Sequence, residues 1–76
     1  MIVVTLTEIL RERNMTSKEL GQRIGITEAN LSILRSGRAK AIRFSTLDAL
    51  CRELNCMPGD ILKYKEGEND NDSFEF

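Results

Sequence analysis

The sequence predicts an all-α domain, with five short helices around one core. Three observations carry this reading. Apolar residues recur at helical spacing in short segments, each bounded by capping residues. Between Thr16 and Gly37 two such segments are joined only by Gly25-Ile26-Thr27, which forces a steep crossing. The chain has 76 residues, enough for one core and not for two domains. The β-branched run Ile2-Val3-Val4 stands apart and suggests a short two-stranded β ribbon formed by the termini.

The partner for that run is Ile61–Tyr64, within one chain or across a dimer; an extended arm over the core is the other reading. Thr5-Leu6-Thr7-Glu8 has the Thr-x-x-Glu form of a capping box, so the first helix begins near Leu6. Leu6, Ile9, Leu10 and Arg13 follow a period of about 3.6, with the stem of Arg13 at the margin. Asn14 stops that helix, which packs on the second.

The second helix opens at Thr16, where Thr16 and Glu19 repeat the capping box. Leu20 and Ile24 share a face, being four apart. Gly25 ends the helix, because a left-handed residue is needed there and glycine carries no Cβ penalty. Thr27 caps the third helix, whose buried face holds Leu31 and Leu34 and whose end is Gly37. Gly21 faces the crossing and lets the backbones approach. Two helices joined at about 90–120° by a tight turn make a helix-turn-helix. A projecting helix about 10–12 Å across suits a B-DNA major groove about 12 Å wide.

Leu20, Gly21, Gly25, Ile26, Thr27, Leu31, Leu34 and Gly37 resemble the helix-turn-helix of Cro/C1-type phage-repressor domains. The resemblance runs from about Leu6 to Leu62 and implies a lambda-repressor-like DNA-binding fold. Alanine is the commoner family residue at Gly21. Glycine is smaller, so the crossing is expected to survive at about 1 kcal/mol in helix propensity.

Arg38-Ala39-Lys40-Ala41-Ile42-Arg43 follows, three bases with no acid. A fourth helix is expected from an N-cap at Ser45, with Leu47, Leu50, Cys51 and Leu54 inward, Phe44 as a core plug and Asn55 as the stop. Met57–Leu62 reads as a turn or single helical turn with Pro58 at its first position. Residues 1–65 form the predicted domain. Residues 66–76, polar and without apolar periodicity, read as an acidic disordered tail.

The resemblance implies base reading by the first two residues of the third helix and one a turn later: Glu28, Ala29 and Ile33, with Ser32 beside them. Glu28 suits a cytosine amino group, and Ala29 and Ile33 suit thymine methyls. Glu28 equally suits the helix dipole as a first-turn acid. The resemblance also implies phosphate contacts from Thr16 and Ser17, and from Ser36, Arg38, Lys40 and Arg43; a merely solvated basic loop is the plainer alternative. The expected partners are double-stranded DNA and a second copy of the chain, because a single module contacts few base pairs.

Whole-chain totals narrow the alternatives. The net charge of −1 hides two unlike parts. Residues 1–65 hold all 11 bases and seven acids, a net +4, while residues 66–76 hold five acids and no base. The tail is a candidate competitor for phosphate, or simply a solubilising segment. Histidine is absent, which removes the commonest general base and metal ligand. Cys51 and Cys56 alone make a poor zinc site. Cys51 is expected to be a buried core residue, and Cys56 an exposed thiol with a redox role as an option. No enzyme, cofactor, metal or small-molecule substrate is indicated. No apolar run nears the roughly 20 residues of a membrane span, and the N-terminus has no signal-peptide form. The expectation is a cytoplasmic DNA-binding transcriptional regulator, read as a repressor. The rival is a protein-interaction module of the same fold, such as an antitoxin or accessory subunit.

Overall fold

The computed structural model describes residues 1–66. In order they form β1 (Ile2–Val4), α1 (Leu6–Glu12), α2 (Ser17–Ile24), α3 (Glu28–Arg35), α4 (Phe44–Leu54), α5 (Pro58–Ile61) and β2 (Leu62–Tyr64). The expected acidic tail lies, from residue 67 onward, outside the described residues.

One local device ends all four longer helices. Asn14, Gly25, Gly37 and Asn55 follow α1 to α4 with φ of 56°, 76°, 81° and 52°. After each, the next amide donates to a carbonyl five residues back. The pairs are Met15 to Leu10 (3.0 Å), Ile26 to Gly21 (3.0 Å), Arg38 to Ile33 (3.2 Å) and Cys56 to Cys51 (3.1 Å). This closure satisfies carbonyls the helix leaves open and turns the chain sharply. Asparagine and glycine serve because they tolerate the left-handed region.

The ribbon forms within the chain. β1 and β2 pair antiparallel, with Ile2 opposite Tyr64, Val3 opposite Lys63 and Val4 opposite Leu62. Lys65 N–H donates to Met1 O at 2.8 Å, and the Met1 amine donates to Lys65 O. The core beneath is Leu6, Ile9, Leu10, Leu20, Leu31, Leu34, Leu50, Leu54 and Ile61. Arg13, at the end of α1, sends Nε to Leu54 O at 2.8 Å and Nη2 to Asn55 O at 3.4 Å. It thereby closes open carbonyls at the end of α4 with a cation, which the helix dipole favours there.

Four sequence expectations need correction. Thr5 precedes α1 but does not cap it with its side chain. Its ψ of 30° departs from the extended backbone of an N-cap, and its hydroxyl donates instead to Asp60 O (2.6 Å) and Ile61 O (3.1 Å). Ser45 is not the cap of α4 either. That helix starts straight after Arg43, with no side-chain cap bond. Phe44 is no core plug: it is 86% exposed. It shares the stripe of Leu47 and Cys51, three and seven residues on, and that stripe borders a groove open to solvent. Cys51 is half-buried for the same reason. Among the described residues, no helix is long and apolar enough to cross a membrane.

Candidate nucleic-acid interface

The interface is built on the joint between α2 and α3. Thr16 Oγ1 accepts from Glu19 N–H at 3.1 Å and opens α2. The return half of the expected capping box is replaced by an ion pair, since Glu19 turns to Arg23 at 3.3 Å. At the far end, Gly21 O accepts from both Gly25 N–H (2.8 Å) and Ile26 N–H (3.0 Å). Thr27 Oγ1 then accepts from Asn30 N–H at 3.1 Å and starts α3. Gly21 explains why the crossing is so close. A Cβ there would sit impossibly near the Ile26 carbonyl oxygen and 3.3 Å from Leu31 Cδ1.

Leu31 and Leu34 hold α3 to the core. Glu28, Ala29, Asn30, Ser32 and Ile33 all face solvent. Ile33 is 39% exposed, a branched apolar side chain on an otherwise polar face. The structure therefore brings Glu28, Ala29, Ser32 and Ile33 together on one outward surface.

Arg35, the last residue of α3, does not join that outward face. It lies four residues after Leu31, hence on the rim of the buried stripe. Its Nε donates to Thr7 Oγ1 at 3.0 Å, and its Nη1 donates to Ser17 Oγ. One guanidinium thus ties α3 to α1 and to the start of α2. Sequence reasoning missed this tether; the four-residue spacing from Leu31 was the available signal.

The same contact changes the account of Ser17. Its side chain is buried and its oxygen already accepts from Arg35. What the start of α2 presents outward is the exposed Thr16 hydroxyl, with its proton free to donate, and the Ser17 and Lys18 amides, which have no partner within the helix. A shallow groove beside them is lined by Thr7, Arg11, Thr16, Ser17, Glu28 and Arg35. Helix-terminal amides with cations nearby suit an anion.

On the other side of α3 lies the 36–43 loop. Ser36 Oγ donates to Ile33 O at 2.9 Å and accepts from Arg38 Nε at 2.9 Å, so the two expected phosphate ligands are joined. Arg38, Lys40 and Arg43 are exposed. None of the three forms an ion pair among the described residues, whereas Arg13, Arg23 and Arg52 all do. Two surfaces, one of helix-terminal amides and one of exposed cations, therefore flank the outward face of α3.

The two free thiols lie elsewhere, at the end of α4. Burial pushes the Cys56 thiol above its ordinary range, reinforced by Cys51 and Asp60 and opposed by Arg13.

Comparison with known proteins agrees with this geometry. The family model for the Cro/C1-type HTH DNA-binding domain matches residues 5–67. A protein of Bacillus subtilis (strain 168), described as the uncharacterized HTH-type transcriptional regulator YozG, is 53% identical over 68 residues. The alignment covers 90% of this chain and 81% of that protein.

Proposed function

The chain belongs to the Cro/C1-type helix-turn-helix DNA-binding family, and from that premise we propose that it represses transcription by inserting α3 into the major groove of a specific duplex site. The observation that carries the proposal is the exposed face of α3, flanked by a helix N-terminus and by three cations that form no ion pair among the described residues. Glu28, Ala29, Ser32 and Ile33 read base edges. Thr16, Ser36, Arg38, Lys40 and Arg43 hold phosphates, and Ser17 contributes its amide rather than its hydroxyl. Residues 1–65 are the DNA-binding domain, with 66–76 as an appended acidic segment.

One module gives few base contacts, so the proposal includes a homodimer on a two-fold site with half-sites about 34 Å apart. A dimer surface is supported by the exposed Phe44 and Met57 along the groove beside α4. Repression follows from occupancy: a bound dimer denies that stretch of DNA to other proteins.

Selection of bound duplexes from a random DNA pool tests the reading. Enrichment of an inverted repeat at roughly one-turn spacing is expected. A folded protein that enriches nothing would overturn it.

The same groove favours one second reading, an interaction subunit of this fold that binds another protein through Phe44 and Met57. The base-reading positions also lack Arg, Lys and Gln, the usual bidentate readers. Salt separates the two readings, because binding through about 4–6 phosphates weakens steeply as salt rises.

A further inference from the structure

The closure that ends α4 brings two cysteines together. Cys51 and Cys56 are the residues whose side chains meet in this type of helix ending, where an apolar pair is usual. The Cys56 amide donates to Cys51 O at 3.1 Å, and both side chains line one groove. Both are free and half-buried. They open onto the groove lined by Phe44, Leu47, Met57 and Pro58, with Asp48 at its edge. Both pack against the core on one side and line an open groove on the other, so each thiol is reachable from that groove.

We propose that Cys51 and Cys56 form a dithiol site that chelates a trivalent organoarsenical, with both thiols bonded to one arsenic. The donor count fits this class. Among the described residues no group of three or more His, Cys, Asp or Glu side chains could hold a metal ion. A monosubstituted arsenic(III) needs only two protein sulfurs, its third bond going to its own carbon. The groove supplies the rest, an apolar wall on which an aryl substituent lies against Phe44 and Met57.

The reaction balances without an oxidant or reductant. An arylarsonous acid carries two As–OH bonds. Each is replaced by an As–S bond, and each thiol proton leaves with hydroxide as water. Arsenic stays trivalent and two waters are released. The site does not involve the α3 face or its flanking cations, and it shares its groove with the proposed dimer surface.

Phenylarsine oxide and the full chain provide the test. One equivalent is expected to protect both thiols from iodoacetamide and to give a one-to-one adduct by intact mass. Excess glutathione, a monothiol, should leave the adduct in place, and dithiothreitol should remove it. Cys51→Ser and Cys56→Ser should each retain the reagent about 100-fold more weakly, since the second bond of a chelate forms intramolecularly. Protection of one thiol per equivalent, two arsenicals per chain, or loss of the adduct to glutathione would overturn the proposal. The protection experiment needs no variant, so it decides the matter even if a serine chain folds poorly.

Discussion

The α2–α3 joint and the α4–α5 joint use the same backbone device and produce opposite surfaces. In both, a left-handed residue (Gly25 or Asn55) is followed by an amide that donates five residues back. The difference is the residue that receives the bond. At the first joint it is Gly21, so the chain passes close over α2 and α3 seats Leu31 in the core. At the second it is Cys51, which meets Cys56 side chain to side chain, and Phe44 and Met57 stay exposed beside them. The backbone turn is local, but the side chain under it decides whether the joint closes into the core or borders an open groove.

The strongest test of that contrast is Gly21→Ala. Alanine gains about 1 kcal/mol of helix propensity, but overpacking against a backbone carbonyl costs about 3 kcal/mol. A net loss of about 2 kcal/mol should lower the thermal midpoint by roughly 10 °C, read by circular dichroism. Survival of the crossing with alanine, the commoner family residue, would mean that the joint opens more easily than its geometry implies. Next in size is Gly25→Ala, which places a Cβ at φ 76° and should cost about 1 kcal/mol. Asn55→Gly at the second joint should change stability by only a few tenths, because the left-handed site there already holds a tolerant residue; urea denaturation of both variants sets the comparison. Phe44→Ser should change the unfolding free energy from urea titration by less than about 0.5 kcal/mol, as expected for an exposed side chain.

Thiol chemistry sharpens the account of the second joint. A pKa raised by burial leaves less Cys56 thiolate at pH 7 to 8 than an ordinary thiol would carry. Alkylation of Cys51→Ser by iodoacetamide should therefore be slower than that of a small free thiol at the same pH. Its rate should rise about tenfold per pH unit to a higher pH than the small thiol's does. A plateau at lower pH would contradict the assigned environment.

Legibility followed the range of the interaction. Asn14, Gly25, Gly37 and Asn55 announced the helix ends, and the leucine spacing announced the core, because both act within a few residues. Thr27 capped α3 as its type predicts. Thr5 and Ser45 have equally good capping types and do not cap. Thr5 is claimed by carbonyls at the end of α5, more than fifty residues along the chain. Phe44 was misplaced because apolarity does not say whether anything packs over a helix's first turn. The outward face of α3 was legible from Leu31 and Leu34. The rim position of Arg35 was signalled by its spacing from Leu31, but its partners were not, since Thr7 and Ser17 come from two other helices.

The central claim divides the surface around α3 into positions that read bases and positions that hold phosphates. The most direct measurement is duplex affinity as a function of salt for Arg38→Ala and for Ile33→Ala, each on a selected site and on an unrelated duplex. Arg38→Ala should weaken binding to both duplexes alike and lower the salt slope by about 1. Ile33→Ala should leave the slope unchanged and reduce the preference for the selected site. Identical behaviour of the two variants, or affinity insensitive to salt, would contradict the account.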